Sequence, residues 1–592
     1  MNYFQQHKTV IRYINQHLTR NQFLVLSGIL VGLSAGTAAI ILKTAVHHIN
    51  TLVTEQLNFF NYPYLNLFLP LIGLLLTAWV VKVFLKGKDG KGIAPVLQDI
   101  SQRSGVVPKY KMYSQIIAST LTIGFGGSAG LESPIAVTGA AVGSNYARTY
   151  RLSYRERVLL LACGSSAGIA AVFNAPITGL MFSLEILLVG VVFSDFIPLI
   201  ISAVTGALLS KIILNNDILF EFEALREFNH QNVPLYILLG ILSGLVSVYY
   251  VRMAKKVDFF FHDYIKWNSY SKALLGGLIL ALLCFLFPPL FGEGYQSIKY
   301  LASNTPQEIL KGTFFNFNGY NQWTIIAFSG LIILTKTFAT SITLSSGGSG
   351  GNFAPSLFTG AFLGFFFASS LNQFGLKDLP LGNFTLVGMC GILSGVMYAP
   401  LTGIFLIAEI TGGYELIIPL MIVSTSSYLI AKFFEPYSMD LKSLIKEKKV
   451  FSENYDDNIL SLIKIHEITN RNFEVMEGDC SLADILHQFR KSDADIIAIY
   501  DQEHTYRGFI TFDRVRKILL NPELQENITA RELILSNEVK LNLKSSVVEI
   551  IDIFDKTNIQ LIPIFDGEGL EGFASRTMLL AAYRNKLKLT IS

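Results

Sequence analysis

Gly127-Ser128-Ala129-Gly130-Leu131-Glu132-Ser133-Pro134, followed by Thr138-Gly139-Ala140 and Gly143, stands in a long apolar run whose single charge is Glu132. The same grammar returns 221 positions later as Gly348-Ser349-Gly350-Gly351-Asn352-Phe353-Ala354-Pro355, then Thr359-Gly360-Ala361 and Gly364. A further repeat follows each copy: Cys163-Gly164, Ala175-Pro176-Ile177-Thr178-Gly179 and Glu185, matched by Cys390-Gly391, Ala399-Pro400-Leu401-Thr402-Gly403 and Glu409. Duplicated apolar helices broken by Gly, Ser and Pro imply a transporter-like architecture with its site between two repeats.

Working outward, uncharged runs cover 21–42, 112–131, 158–184, 338–376 and 379–408. Each reaches the roughly 20 residues needed to cross a bilayer core of about 30 Å. The chain has 592 residues, 51% hydrophobic and 15% charged, with a mean hydropathy of +0.45. A soluble globular class is therefore excluded, and an integral, multi-pass membrane protein is expected. Breaks inside such runs survive only against other protein or a water-filled cavity, so they point inward.

Charge is distributed unevenly. Lys8, Arg12 and Arg20 precede the first span, Lys82, Lys86, Lys88, Lys91, Lys109 and Lys111 share one connection, and Arg148, Arg151, Arg155 and Arg157 share another. The positive-inside tendency assigns these segments to the cytoplasm. No cleavage site of small residues follows the first apolar run, which is expected to remain as a membrane helix. A net charge of +3 without a clustered basic face offers nothing to nucleic acid. Cys163, Cys284, Cys390 and Cys480 are spaced for neither a metal site nor a disulfide framework and read as reduced structural residues.

Each duplicated loop has the chemistry of an anion site. A helix N-terminus exposes unpaired N–H groups and about half a positive charge, and glycines let the backbone come close to a ligand. Proline at the first helical position fits there, which sets the expected helix starts at Pro134 and Pro355. If the repeats are inverted, both starts converge on one midplane site for a small anion. The competing reading is close helix packing through small residues. Glu132 is the only acidic residue between Met112 and Arg155, and an ionisable group at membrane depth marks a functional site. At a helix start its carboxylate can occupy the place of the anion, and protonation would release it.

An enzyme is disfavoured. Gly126-Gly127-Ser128-Ala129-Gly130 and Gly347-Gly348-Ser349-Gly350-Gly351 fit the G-x-S-x-G pattern of hydrolases. A nucleophilic serine needs a base, however, and all nine histidines lie outside 49–229 and 263–465.

After about Phe434 the composition changes and no later run could span a membrane. A second, weaker duplication follows. Ser481 to Leu486 starts a helix, with Ser481 and Asp484 placed as a capping box, and Ile496–Tyr500 and Gly508–Thr511 read as strands. Ser546 to Ile551, Leu561–Phe565 and Gly572–Ser575 repeat that order. Each half reads helix, strand, turn, strand, helix, which resembles a pair of CBS domains.

Over essentially its whole length the chain resembles the CLC family of chloride channels and chloride/proton antiporters. Gly130-Leu131-Glu132-Ser133-Pro134 is similar to the family's G-[KR]-E-G-P motif, whose glutamate is the external gate. Gly351-Asn352-Phe353-Ala354-Pro355 is similar to G-x-F-x-P, where main-chain amides, here those of Asn352 and Phe353, bind the central ion. Gly90-Lys91-Gly92-Ile93-Ala94-Pro95 takes the place of G-S-G-I-P. The resemblance implies an all-α polytopic membrane protein with inverted repeats and broken helices, an α/β CBS tandem, and a homodimer with one pore per subunit. Its expected parts are a cytoplasmic segment 1–20, a transmembrane domain 21–436 with repeats at about 21–215 and 234–436, a linker 437–466, and CBS domains at 467–525 and 526–592. The implied gate is Glu132, and the implied anion cradle is Gly130, Leu131, Ser133, Gly351, Asn352, Phe353, Ala354, Lys91 and Gly92.

The chain departs from the family at several of these places. Lys91 replaces a chloride-coordinating serine, Leu131 a basic residue and Ser133 a glycine. The antiporters' internal glutamate matches Ile186 here, with Glu185 one residue earlier and roughly 100° around a helix, so passive conduction and proton-coupled exchange both stay open. Glu185 is a candidate for a proton path, although its pairing with Glu409 in the repeat favours a structural role. The family's inner-gate tyrosine matches Asp440, with Tyr437 three residues earlier as the alternative. Nucleotide-binding CBS pairs carry an acidic residue three positions after a Thr or Ser; here Thr511 leads to Arg514 and Ser575 to Met578, which favours a scaffold and leaves an adenine nucleotide open.

Overall fold

The computed structural model describes residues 19–53, 68–87, 92–187, 196–214, 228–303, 305–311, 313, 321–446, 460, 463–477, 480–519, 530–535, 541–543, 545–557, 559–567 and 569–591. Two compact units emerge, Met1–Val450 and Phe451–Ser592.

The first unit is helical. Its helices are α1 (Arg20–Thr51), α2 (Leu69–Val83), α3 (Ala94–Gln102), α4 (Lys111–Gly124), α5 (Glu132–Thr149), α6 (Tyr154–Phe173), α7 (Pro176–Phe182) and α8 (Phe196–Leu214). They continue with α9 (Val233–Phe259), α10 (Ser269–Leu286), α11 (Tyr295–Ala302), α12 (Gln322–Ser345), α13 (Phe353–Gln373), α14 (Leu381–Met397), α15 (Pro400–Ile410), α16 (Ile417–Phe434) and α17 (Met439–Lys446). Among the described residues, eight helices are long and apolar enough to cross a membrane. The start of α1 meets the first turn of α6 through an Arg20–Glu156 ion pair, and Arg157 donates to the Ser104 carbonyl at 2.9 Å. Three of the basic segments thus lie at one end of the bundle.

The repeats are visible as paired contacts. In the first, α5 and α6 approach so closely that a Cβ on Gly139 would lie 2.1 Å from the Gly164 carbonyl oxygen, and one on Gly164 would lie 2.0 Å from that of Gly139. In the second, Gly360 of α13 and Gly388 of α14 stand in the same relation, at 2.3 and 2.4 Å. The structural counterpart of Gly164 is therefore Gly388 rather than Gly391, because the backbone contact fixes the register that the Cys-Gly dipeptides obscure. Left-handed residues end α6 and α14, Asn174 at φ 54° and Tyr398 at φ 59°. Each turn leads to Ala-Pro with the proline in the first helical turn, where the missing N–H costs nothing.

One carboxylate from each repeat caps a helix of the other. Glu409 accepts from the N–H groups of Ile177 and Thr178, both at 2.8 Å, and from the Thr178 hydroxyl at 2.6 Å. Glu185 accepts from Leu401 N–H and Thr402 N–H, both at 2.8 Å, and from the Thr402 hydroxyl at 2.6 Å. Each glutamate satisfies orphan donors at a helix start and faces the positive end of its dipole. The exchange ties the two repeats together through equivalent groups.

In the second unit, each half runs helix, strand, turn, strand, helix as its sequence suggests. The first half has α18 (Leu482–Lys491), β3 (Ile496–Tyr500), β4 (Tyr506–Thr511) and α19 (Phe512–Leu519), preceded by β1 (Thr469–Asn470) and β2 (Glu474–Glu477). After α20 (Ala530–Leu533), the second has β5 (Leu541–Asn542), α21 (Val547–Thr557), β6 (Leu561–Asp566), β7 (Gly569–Ser575) and α22 (Arg576–Ile591). The sheets are ordered β2-β3-β4 and β1-β7-β6-β5, so the first half lends β1 to the sheet of the second. Both hairpins carry an irregularity at the same place, Ile499/Tyr500 and Ile564/Phe565. Phe509 and Phe573 pack between the sheets with ring centroids 5.0 Å apart.

Removing either exchanged cap leaves two backbone donors unsatisfied. We expect Glu409→Ala and Glu185→Ala each to cost about 2 kcal/mol and to lower the unfolding temperature of the purified protein by similar amounts, measured by intrinsic fluorescence. A large loss from one and none from the other would contradict the exchanged arrangement.

Candidate functional site

Helices α4 and α12 each stop at a glycine with positive φ, Gly126 at 90° and Gly347 at 118°. The chain then turns back, with Gly127 N–H donating to the Thr122 carbonyl at 2.8 Å and Gly348 N–H to that of Thr343 at 2.9 Å. The loops next exchange bonds. Ser128 N–H donates to the Thr343 hydroxyl at 3.3 Å, and Ser349 N–H to the Thr122 hydroxyl at 3.0 Å. At the centre Gly130 and Gly351 form an antiparallel bridge in which each N–H donates to the other's carbonyl at 2.9 Å. Positions 221 apart therefore meet each other, the relation expected about a local two-fold axis.

The bridge sets the starts of α5 and α13 side by side. Glu132 opens α5 and Phe353 opens α13, so Pro134 and Pro355 hold the third helical position and not the expected first. Proline is harmless there as well, because the first-turn N–H groups have no intrahelical acceptor. The small residues also fit by necessity: a Cβ on Gly351 would lie 2.2 Å from the Ser133 hydroxyl oxygen, and one on Gly130 would lie 2.2 Å from a Glu132 carboxylate oxygen.

Glu132 is 0% exposed. Its Oε1 accepts from the Tyr295 hydroxyl at 2.6 Å, and its Oε2 from Ala354 N–H at 3.4 Å. The carboxylate of one repeat thus lies against the amide end of a helix in the other, where an anion would bind. Asn352 takes the N-cap position of α13, and its Oδ1 accepts from the Tyr250 hydroxyl at 3.1 Å. Phe353 is fully buried and packs against Phe173 and Phe182. Gly130, Leu131, Glu132, Ser133, Gly351, Asn352, Phe353 and Ala354 are consequently brought together, as their motifs suggest.

Three further groups join this site without having been singled out by sequence. Tyr295, the first residue of α11, closes the run Gly292-Glu293-Gly294-Tyr295 that leads into that helix. Glu293 Oε1 accepts from Leu131 N–H at 3.3 Å, one residue before Glu132. Gly292 N–H donates to the Gly126 carbonyl at 3.0 Å. Below this loop Lys336 of α12, 0% exposed, donates to the Gly292 and Leu290 carbonyls at 3.1 and 3.5 Å and stands 4.5 Å from the centroid of Phe358. An acidic residue between two glycines after an apolar run was the available signal.

At the other candidate positions, Lys91 lies outside the described residues. Gly92 has φ 62°, and the Asp440 carboxylate lies 3.3 Å from where its Cβ would be. Asp440, in the first turn of α17, therefore reaches the loop before α3. Tyr437 is half-buried in the connection between α16 and α17. Glu185 spends its carboxylate on the α15 cap rather than near Glu132.

A family model described as "Voltage gated chloride channel" matches residues 73–432. A putative chloride channel protein, ClcB-like, of Ralstonia nicotianae is 27% identical over 376 residues, 62% of this chain and 82% of the relative. The H(+)/Cl(-) exchange transporter ClcA of Vibrio cholerae is 28% identical over 464 residues, 74% of this chain and 93% of its own. Among solved structures, a slow cyanobacterial Cl-/H+ antiporter superposes with a TM-score of 0.62 at 21% identity, covering 74% of this chain and 100% of that one. A eukaryotic CLC transporter gives 0.60 at 18% identity, covering 94% and 97%. With more than half of its length matched by the family model and the two glycine loops joined at its centre, this chain belongs to the voltage gated chloride channel family.

Proposed function

We propose that the protein moves chloride across a membrane through the site between α5 and α13, with Glu132 as the gate. One observation carries this reading: the fully buried Glu132 carboxylate accepts Ala354 N–H from the opposite repeat, and so stands where a permeating anion would be held. Protonation removes its charge and its claim on that amide, and an anion then takes the place. Asn352 and Phe353 supply the amides of the first turn of α13, uncharged and without intrahelical acceptors, and Gly130, Leu131, Ser133, Gly351 and Ala354 complete the cradle. At the opposite mouth, the approach of Asp440 to Gly92 favours Asp440 over Tyr437 as the inner gating group. The two repeats are inverted across the membrane in this reading, and the reciprocal bridge supports it.

Proton-coupled exchange is favoured over passive conduction. Its support is a buried, protonatable gate held by a tyrosine hydroxyl and similarity to a protein named as an exchanger. Ile186 at the internal-glutamate position means that any coupled proton takes another route to the inner side, and the capping bonds of Glu185 support a structural role for it.

The basic segments gathered near Arg20 and Arg157 support a cytoplasmic location for that end of the bundle. We further infer that the second unit is a CBS pair serving as a scaffold, and that two chains associate. Apolar side chains exposed on α8 and α16, Ile197, Leu208, Ile212, Ile418, Met421 and Leu429, give a face for the second copy. In detergent the purified protein should have twice the 65.6 kDa chain mass by light scattering, unchanged by ATP; a monomer would sink the dimer.

Two measurements test transport. In proteoliposomes under combined chloride and pH gradients, the reversal potential should move with the proton gradient; a purely Nernstian chloride potential would restore the passive reading. Glu132→Gln mimics the protonated gate, so its chloride flux should lose the rise that wild type shows as pH falls. Unchanged flux and pH dependence in that variant would remove Glu132 from the gate.

A further inference from the structure

Glu293 has no role in the gate as described, yet it sits on the peptide unit next to it. Its Oε1 accepts Leu131 N–H at 3.3 Å, while two residues later the Tyr295 hydroxyl donates to Glu132 Oε1 at 2.6 Å. The Glu293-Gly294-Tyr295 tripeptide therefore clasps residues 131 and 132 from one side. Its geometry is tightly set. Gly294 has φ 85°, and a Cβ there would lie 2.4 Å from the Phe358 ring. Gly292 is bonded to Gly126 on one side and to Lys336 on the other.

Burial separates the two residues: Glu132 is 0% exposed, whereas Glu293 as a whole is half-buried. The charged and titratable groups facing Glu293 are Glu132 of α5, Tyr295 at the start of α11, Lys43 of α1 and Lys336 of α12. Lys43 donates to the Val172 carbonyl at 3.3 Å, and Lys336 to carbonyls under the loop. Both cations are thus committed to backbone oxygen while still offsetting part of the carboxylate charge. The two carboxylates flank one stretch of backbone, Glu293 on the N–H of residue 131 and Glu132 on residue 132 itself, which gives a proton a short route between them.

We propose that Glu293 is the proton-loading carboxylate of the gate: it takes a proton from water at its half-buried position and passes it to Glu132. The transfer moves one proton, leaves Glu293 ionised and Glu132 neutral, and keeps the charge of the pair constant. It rests on the gating role given to Glu132. With Ile186 at the internal position, it also gives the chain a second protonatable group beside its site.

The test is chloride efflux from proteoliposomes containing the full chain, at equal pH on both sides, from about pH 4.5 to 7.5. Glu293→Gln keeps an acceptor for Leu131 N–H but cannot carry the proton. Its flux at pH 7 should fall at least threefold and its pH profile should move to lower pH by about one unit, with flux at the acid end returning to the wild-type rate. Glu293→Asp should restore most of the neutral-pH flux, which a merely structural role would not require. In a Glu132→Gln background, Glu293→Gln should have no further effect, because the acceptor of the proton is gone. A profile superimposable on wild type, a rise in neutral-pH flux, or an equal effect in both backgrounds would overturn the proposal. If Glu132→Gln alone leaves the profile unchanged, the gate reading fails first. If only the Glu293 variants match wild type, the loading role fails and the gate stands.

Discussion

Two hydrogen bonds between Gly130 and Gly351, each 2.9 Å long, are the constraint on which the arrangement of the site depends. They join equivalent points of the two repeats, so everything attached to one loop is placed relative to the other. Neither glycine can be replaced without a clash, since a Cβ at either would run into Glu132 or Ser133. The threonine hydroxyls of α4 and α12 close the same junction from both sides. The bridge sets the starts of α5 and α13 side by side in mid-bundle, where their like partial charges repel. A carboxylate between them relieves that repulsion, and an anion can do the same.

The symmetry fails at the two helix starts. Glu132 supplies a charge to one helix start, while the corresponding turn of the other is opened by Phe353 behind the neutral N-cap Asn352. Each start is steadied by a tyrosine hydroxyl, Tyr295 for Glu132 and Tyr250 for Asn352. One side of the site can therefore change charge with a proton, while the other keeps a constant polarity. Backbone dipoles give the fixed part of the field and one side chain gives the variable part.

Much of this was legible in the chain because duplication prints the same constraint twice. The glycines, the serines and the two Ala-Pro turns recur since each repeat solves the same packing problem, and Glu132 stood out as the only charge in its run. Helix starts were misplaced by two residues because proline is tolerated anywhere in a first turn, so its position does not mark the first residue. The Cys-Gly dipeptides misled the register for a similar reason: Gly388, not Gly391, makes the backbone contact with Gly360. Glu293, Tyr295 and Lys336 were not tied to Glu132 by sequence, because that relation spans more than 150 residues and only the Gly-Glu-Gly run hinted at the loop. The approach of Asp440 to Gly92 was likewise set by tertiary packing, not by spacing.

The exchanged glutamate caps also bear on how such a chain is made. The N–H groups of Ile177 and Thr178 are synthesised long before Glu409, their acceptor, leaves the ribosome. Until then the first repeat holds a helix start with unsatisfied donors in a medium that cannot solvate them. The first half of the bundle is therefore incomplete by itself, and the start of α7 is satisfied only when the second half arrives. The junction of the two glycine loops likewise needs Gly351, so it cannot form before the second repeat has been made.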